Sequence, residues 1–271
     1  MYSGTTITNH SGNIIGVHQK IDKLARRNLN IMLPGNDFPS IKNILHFEGA
    51  NGPDAIKRKS PSKNEPWHFL SPYDLTDDKL LTTIEYHFNN LVKALRDKNL
   101  ERSSFEAAWL SHAMVDGLTP AHHYPYEKKL SELRNGQGIE TRTSIKKRLI
   151  MTGEKKSEIF QNNWKMWGPK GLFITHISFE IGVASIMAPL KFKQTIPNQK
   201  EIDDFNLGID NWYRQIAQEI ASLNLYDDFY RMGWTIALTK KVKRFLAPTL
   251  IKCISIVWYQ AILKAADVKN R

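Results

Sequence analysis

Cysteine is nearly absent from this chain of 271 residues, which contains only Cys253. A single cysteine cannot form an intramolecular disulfide, and it cannot supply the paired thiolates of a cysteine-based zinc site. Any metal ion bound by the protein must therefore be held by histidine and carboxylate side chains. Residues 1–19 also lack a basic stretch followed by an apolar one, so no standard secretory signal is visible. This favours a cytoplasmic protein, unless it uses another export route.

Long uncharged apolar runs and alternating strand patterns are also scarce. The most apolar window, residues 245–263, contains Pro248 and Lys252 and follows the basic run "KKVKR". A transmembrane helix requires about twenty predominantly apolar residues with few or no charges, so this window instead predicts a buried C-terminal helix. Nearly all other strong apolar patterns repeat every three or four residues, which predicts an all-α fold.

Acidic residues are the minority among the charged ones, with 27 Asp and Glu against 38 Lys and Arg, a net charge of +11. Much of the basic surplus lies in residues 128–170, where 11 Lys and Arg face four Glu. We interpret residues 128–167 as a basic insertion of short helices within one all-helical domain that spans residues 1–271. A basic surface attracts nucleic acid or anionic lipid headgroups, although a solvated charged face is the commoner explanation.

Two predicted helices have clear boundary signals. One follows the N-cap candidates Thr76 and Asp77, and the other starts with a capping box formed by Ser103 and Glu106 and ends at Gly117. The first of these covers about residues 77–97, and further helices are predicted from Pro169 onward, near 199–223, near 225–237 and at about 248–268.

Two pairs of side chains on these helices suggest a metal site. His112 and Asp116 are four residues apart, as are His176 and Glu180, so the members of each pair share a helix face and can share an ion. One such pair alone is more often a hydrogen bond or a weak surface ion pair. Two together on apolar helices favour a bound cation, because a buried unpaired carboxylate is costly.

The stretch "HAMVDGLTPAH" places His112, Asp116, Pro120 and His122 within eleven residues. This H-x-x-x-D-x-x-x-P-x-H pattern resembles the central motif of the zinc-dependent phospholipase C family of bacteria. It also resembles that of their relatives, the single-strand-specific zinc nucleases of fungi and plants. The resemblance implies an all-helical protein with a cluster of zinc ions in a cleft.

The other ligands expected from the resemblance are present in the right order. His18 resembles the histidine of the family's N-terminal helix, while Asp54 and His68 resemble the loop aspartate and the histidine after it. The gap of fourteen residues between Asp54 and His68 is similar to that of the phospholipases. His176 and Glu180 resemble the final H-x-x-x-E pair, where the nucleases usually have aspartate.

The resemblance implies the following distribution of ligands over two or three zinc ions. One ion would be held by Asp54, His68, His112 and Asp116, a second by His122, His176 and Glu180, and a third by His18 together with the bridging Asp116.

The third ion is where the sequence departs from the family. There, the amino group and carbonyl of an N-terminal tryptophan complete the site, and no tryptophan precedes His18 in this chain, which begins at Met1. Three alternatives stay open: the third ion is absent, it is weakly bound, or His10 or a backbone group completes its site. The gap between His122 and His176 is also longer than in the secreted phospholipase and contains the basic insertion.

By resemblance, we expect a zinc-dependent phosphodiester hydrolase that cleaves phospholipid, with Asp54 as the catalytic residue that orients or deprotonates the attacking water. Contact with a membrane surface would use the basic segment, residues 128–170, and no obligate protein partner is evident. One alternative is a nuclease acting on single-stranded nucleic acid, and another is a helical metal-binding protein without catalysis.

The remaining histidines and the aromatics near the motifs receive simpler interpretations. His46 and His87 are expected in helices or the core, and His123 is either a hydrogen-bond donor near the site or exposed. Packing is the first expectation for the aromatics beside the ligands, and lining of a substrate cleft is the alternative; they are Trp67, Phe69, Tyr73, Tyr124 and Tyr126.

Overall fold

The computed structural model describes residues 1, 16–48, 52–54, 68–137, 141, 144, 147 and 149–267. Within these ranges the chain forms helices and no strand, which confirms the all-α prediction. The α-helices whose bounds it gives are α1 (Val17–Met32), α2 (Ile41–His46), α3 (Lys79–Arg96), α4 (Leu100–Gly117), α5 (Tyr126–Glu132), α6 (Lys156–Trp167), α7 (Leu172–Met187), α8 (Gln199–Asp203), α9 (Ile209–Ser222), α10 (Leu225–Met232), α11 (Ile236–Lys241) and α12 (Ala247–Asp267).

The main core lies where α1, α3 and α4 pack against α12. Ile251, Val257 and Trp258 of α12 are fully buried, which confirms the expectation that the apolar C-terminal window is a core helix. By length and composition alone, the helical stretches 156–187 and 236–266 are each apolar enough to cross a membrane. Of their most apolar windows, 39% and 61% respectively are buried inside the protein.

The start of α4 differs from the prediction. Asn99 caps the helix by accepting a hydrogen bond from the Arg102 amide at 2.9 Å, so the helix begins at Leu100 and the capping box predicted at Ser103 is wrong. Glu106 instead lies buried inside the helix, where it accepts a 2.6 Å hydrogen bond from Nδ1 of His87 on α3. His87 is thus a core residue, as expected.

Gly117 ends α4 as predicted, and its lack of a side chain has a packing reason. A Cβ atom at this position would collide with the Leu80 side chain and with the hydroxyl of Tyr213. That hydroxyl donates a 2.7 Å hydrogen bond to the carbonyl of Met114, so the space is fixed. The chain then turns directly into a short 3₁₀ helix, Pro120–His123, which contains His122.

Several helix boundaries in the second half of the chain also differ. The predicted helix 199–223 is interrupted by Gly208, whose φ of +90° is incompatible with a continuous helix. Gly233, with φ of +70°, likewise separates α10 from α11, so the predicted helix 225–237 is divided. α11 continues through the π-helical turn Val242–Leu246 into α12, and α7 begins three residues after Pro169.

The basic insertion contains the predicted short helices α5 and α6. The buried guanidinium of Arg134 donates hydrogen bonds to the Lys147 carbonyl at 2.7 Å and to the Thr141 hydroxyl at 3.0 Å. The insertion also contains a small apolar cluster of Leu130, Met151 and Met166, distinct from the main core. That the chain forms a single domain stays a prediction.

Candidate metal centre

Side chains from three helices and the 3₁₀ turn converge at one end of the main core. α1 contributes His18, α4 contributes His112 and Asp116, and α7 contributes His176 and Glu180, while His122 comes from the 3₁₀ turn. The i, i+4 spacings predicted from the sequence therefore do place each histidine beside its carboxylate. The imidazole rings of His18 and His112 also stack, with centroids 4.0 Å apart and planes 5° apart.

Asp54, His112 and Asp116 form one potential metal-binding group. Nε2 of His112 lies 3.3 Å from Oδ2 of Asp116 and 3.6 Å from Oδ1 of Asp54. The other ring nitrogen of His112, Nδ1, donates to Oε1 of Glu48 at 3.1 Å. Once His112 has lost the proton of Nε2 and donates only from Nδ1, the lone pair of Nε2 faces the two carboxylate oxygens. A shared cation satisfies such an arrangement.

His122, His176 and Glu180 form a second potential metal-binding group, which also combines imidazole nitrogens with carboxylate oxygens. Oε1 of Glu180 lies 2.9 Å from Nε2 of His122 and 3.3 Å from Nε2 of His176. Nδ1 of His122 donates to the His68 carbonyl at 3.1 Å, which leaves the lone pair of Nε2 facing the carboxylate. The two imidazole rings are parallel within 6°. The nitrogen and oxygen atoms of this group that could bind a metal ion thus lie within 4.8 Å of one another.

Asp116 lies between these groups and joins them to His18. While Oδ2 of Asp116 faces His112, its Oδ1 lies 3.2 Å from Nε2 of His18 and 4.0 Å from Nδ1 of His122. One carboxylate therefore reaches three imidazoles. A bridging role for Asp116, which the resemblance implied, stays a prediction.

The backbone of Met1 lies beside His18 and Asp116, the two residues that the resemblance assigns to a third ion. Its carbonyl accepts a 2.8 Å hydrogen bond from Nε2 of His18, and its amino group contacts Asp116 and lies 3.4 Å from Glu180. Of the alternatives for the third ion, the structure thus places a backbone group beside His18. His10 lies outside the described residues.

Burial and charge give the ligands unusual proton affinities. Burial alone would raise the pKa of Asp116 and of Glu180, but the Met1 ammonium and the neighbouring imidazoles hold both well below the usual range. Burial, reinforced by the same ammonium, lowers the pKa of His122 to about 3. Asp116 and Glu180 are therefore anionic and His122 is neutral at pH 7, which are the protonation states that bind zinc.

His112 is affected in the opposite direction. Burial would lower its pKa, but the carboxylates of Glu48, Asp116 and Asp54 raise it well above the ordinary value. The negative charge around His112 thus attracts either a proton or a metal ion to Nε2. Zinc binding at this group must displace that proton.

Glu48 is a buried carboxylate beside the candidate ligands that sequence reasoning missed. It is 2% exposed and holds His112 through Nδ1, the nitrogen that faces away from Asp116. Carboxylates that accept a hydrogen bond from a metal-binding histidine orient the ring and increase its basicity. Glu48 is 64 residues from His112 along the chain and shares no motif with it, so no sequence signal pointed to this contact.

Asp22 is a second buried carboxylate that sequence reasoning missed, although its spacing from His18 could have drawn attention to it. His18 and Asp22 are four residues apart on α1, the same spacing as in the two recognised pairs. Asp22 is fully buried and accepts a hydrogen bond from the Ser111 hydroxyl. Burial and the nearby Glu48 raise its pKa well above the usual value.

His68 and Asp54 are placed differently from each other. Asp54 lies beside His112, with a side chain that is 30% exposed. His68 lies nearer the other group, because its ring centroid is 5.1 Å from that of His122 and its carbonyl accepts from His122. In the described part of the chain, the structure therefore brings Asp54, His112 and Asp116 together without His68.

The aromatics around the site divide between lining and packing. Tyr126 lies against His176, with ring centroids 5.2 Å apart, and Phe69 stacks on Tyr126 at 5.7 Å, so both border the second group. Tyr124 packs against Tyr226 of α10. Tyr73 is exposed and donates to a backbone carbonyl at 3.3 Å, and Trp67 lies outside the described residues.

The two remaining histidines are accounted for. His46 lies exposed at the end of α2. His123 is directed away from the ligands, because its Nε2 donates to the carbonyl of Gly117 at 2.9 Å. Burial lowers the pKa of His123 to about 4, so it is neutral at pH 7 and supports the end of α4.

A cleft of about 370 Å³ lies between the basic insertion and helices α7 and α10. Thr175, which precedes His176, lines it together with tyrosine and lysine side chains. Those side chains are Tyr124, Tyr226, Tyr230, Lys129, Lys165 and Lys170.

The sequence matches a known protein family. The family model described as zinc dependent phospholipase C matches residues 23–223, about three quarters of the chain. Neither the curated proteins nor the solved structures give a significant match. The matched range contains every proposed ligand except His18 and the backbone of Met1. By this match, the chain belongs to the zinc-dependent phospholipase C family.

Proposed function

We propose that the protein is a phospholipase C-type enzyme that hydrolyses the phosphodiester of a phospholipid with a metal-activated water. Its family supports the broader description, a zinc-dependent hydrolase acting on phosphoric ester bonds. The observation that carries the proposal is the convergence of buried histidine Nε2 atoms on carboxylate oxygens, those of His18 and His112 on Asp116 and those of His122 and His176 on Glu180. Carboxylates buried among imidazoles are stabilised by positive charge, which a bound zinc ion would supply.

The donors present fit zinc. Neutral imidazole and carboxylate oxygen are ordinary zinc ligands, and soft thiolates are not required. Asp54, His112 and Asp116 would hold one ion, and His122, His176 and Glu180 would hold a second. We propose that His18, Asp116 and the backbone of Met1 hold a third, and that His68 completes one of the other two sites.

Within this centre the protein side chains have distinct tasks. Bound zinc supplies a water of lowered pKa and positive charge that stabilises the phosphate oxygens. We propose that Asp54 orients the attacking water and accepts its proton, and its partly exposed carboxylate beside His112 supports this role. Phe69 and Tyr126 exclude water beside His176. Attack at phosphorus would release diacylglycerol and the phosphorylated headgroup.

The test is hydrolysis of phosphatidylcholine by the purified protein before and after removal of zinc. We expect phosphocholine release, its loss on chelation, and its recovery when zinc is added back. Element analysis of the same sample should give three zinc ions per chain. Undiminished hydrolysis by protein shown to be free of metal would contradict the proposal.

A nuclease acting on single-stranded nucleic acid is the second candidate, favoured by the excess of basic residues in 128–170. The rates on phosphatidylcholine and on single-stranded DNA, measured with one preparation, separate the two activities. Zinc bound at full occupancy with no turnover of either substrate would instead establish the third alternative, a metal-binding protein without catalysis. The cytoplasmic location expected from the sequence stays a prediction.

A further inference from the structure

Helix α6 of the basic insertion exposes two of its three aromatic side chains to solvent, Phe160 and Trp164. Asn162 and Met166 point into the insertion and are buried. Phe160 and Trp164, also four residues apart, share another face and are 70% and 61% exposed. Large aromatic side chains exposed together on one helix are characteristic of an interaction surface.

The loop before α6 extends this apolar surface. Nε1 of Trp167 donates a 2.8 Å hydrogen bond to the carbonyl of Leu149, and the side chain of Asn163 bonds both the amide and the carbonyl of Met151. These bonds hold the loop against α6. Leu149 and Ile150 are 51% and 45% exposed, so they add aliphatic area to the surface formed by Phe160 and Trp164.

The charges beside this surface indicate what it contacts. From Lys147 through Lys170, both included, the sequence has six basic and two acidic residues. Lys156 lies one helical turn before Phe160, and Lys165 directly follows Trp164; both are exposed. Phenylalanine and tryptophan flanked by lysine are typical of helices that lie in the interface of an anionic bilayer, with rings among the lipids and ammonium groups at the headgroups.

The surface is connected to the metal centre through α7. Trp167 at the end of α6 packs on Phe173, with ring centroids 5.0 Å apart. Phe173 lies one turn before His176 on the same helix. A bilayer bound at α6 would therefore lie near the helix that carries two of the proposed zinc ligands.

We infer that Phe160, Trp164, Leu149 and Ile150, with the lysines beside them, form a docking surface for anionic phospholipid bilayers. The inference rests on the proposed function in one respect, since it names the surface by which that enzyme reaches a membrane substrate. Binding itself requires only the exposed surface. Docking and catalysis can therefore be tested separately.

The first experiment is cosedimentation with vesicles of phosphatidylcholine containing phosphatidylglycerol, compared with vesicles of phosphatidylcholine alone. The variant Phe160→Ser/Trp164→Ser should bind the anionic vesicles at least about tenfold more weakly, because each ring loses apolar area that the bilayer would bury. The matched control Tyr86→Ser/Leu100→Ser removes an aromatic and an aliphatic side chain of similar exposure on α3 and α4, and should bind like the unmodified protein.

The second experiment measures hydrolysis of a short-chain phosphatidylcholine below its micelle concentration. Phe160→Ser/Trp164→Ser should retain this activity while losing activity on vesicles. The variant Lys156→Glu/Lys165→Glu should lose the preference for anionic vesicles, and raised salt should weaken binding of the unmodified protein. Thermal melts that match the unmodified protein show that each variant is folded.

The outcomes separate the two proposals. Failure of the unmodified protein to bind anionic vesicles, or full binding by Phe160→Ser/Trp164→Ser, overturns the docking surface whatever the hydrolysis. Vesicle binding that depends on Phe160 and Trp164, without hydrolysis of any phospholipid, supports the docking surface and contradicts the proposed function.

Discussion

The metal centre and the basic insertion place their polar and apolar groups in opposite ways. The centre buries histidines and carboxylates on helices of the main core, where each polar group has a charged or hydrogen-bonding neighbour. The described part of the insertion buries a small apolar cluster and the Arg134 side chain, and it exposes Phe160 and Trp164. Buried carboxylates are stabilised by a bound cation, whereas exposed apolar side chains are stabilised by contact with an apolar partner. The two regions therefore indicate two different ligands.

The largest expected effect is that of Asp116→Asn. This change removes the negative charge that faces His18, His112 and His122, so zinc content should fall and hydrolysis should decrease by at least about a hundredfold, more than the loss of a group that only supports a ligand. Element analysis and the rate on short-chain phosphatidylcholine provide the measurement.

Asp228→Asn is the matched control, because Asp228 pairs with Lys241 at 2.9 Å outside the centre and the pair is partly exposed. It should leave zinc content and rate unchanged. If Asp116→Asn kept a full complement of zinc, the bridging role of Asp116 would be refuted.

Glu48→Gln should have an intermediate effect. The amide can still accept from Nδ1 of His112 but carries no charge, so the ring becomes a weaker zinc ligand and zinc affinity should fall by about ten- to a hundredfold. Competition against a chelator of known affinity measures the change.

Glu106→Gln offers a close comparison, since Glu106 is also a buried glutamate that accepts from Nδ1 of a buried histidine, His87, outside the centre. It should lower thermal stability without changing zinc affinity. Equal losses of affinity in both variants would show that Glu48 acts only on stability.

Arg134→Met should have the smallest effect on catalysis. Its main effect should be a loss of local stability in the insertion. Loss of the bonds to Lys147 and Thr141 leaves a carbonyl without its donor, at a cost of about 1–3 kcal/mol. Local opening, measured as the rate of proteolysis within the insertion, should increase by about five- to a hundredfold.

Arg214→Met is the control for that variant, because Arg214 also donates to two carbonyls, those of Asp74 and Asp77, but outside the insertion. It should leave cleavage within the insertion unchanged. The activity of Arg134→Met on the short-chain substrate should be retained. A parallel loss of that activity would show that the insertion and the metal centre are not independent.

The sequence predicted local features better than distant contacts. The spacing in the motif around Asp116 determines which side chains share a helix face, so those pairs were predictable. The interruptions at Gly208 and Gly233 were missed because a long apolar pattern continues across them. The capping box at Ser103 was wrong because Asn99, four residues earlier, supplies an equally good cap and lengthens the helix.

What could not be predicted depends on tertiary packing. Glu48 reaches His112 only because α2 packs against α4, and no periodicity in the sequence encodes that contact. The exposure of Phe160 and Trp164 could not be predicted either. The apolar residues of α6 have the spacing of any amphipathic helix, and this spacing does not show which face is buried. Asp22 differs, since its spacing from His18 repeats the pattern of the recognised pairs.

The position of Asp116 between the groups affects how successive metal ions would bind to the centre. Its two oxygens are fixed relative to each other, so an ion that orients Oδ2 at His112 also sets the direction of Oδ1 at His18 and His122. The first ion to bind would thereby prearrange the next sites. Loading should then be cooperative, and a titration of metal-free protein with zinc should show few partly filled molecules between the empty and the full state.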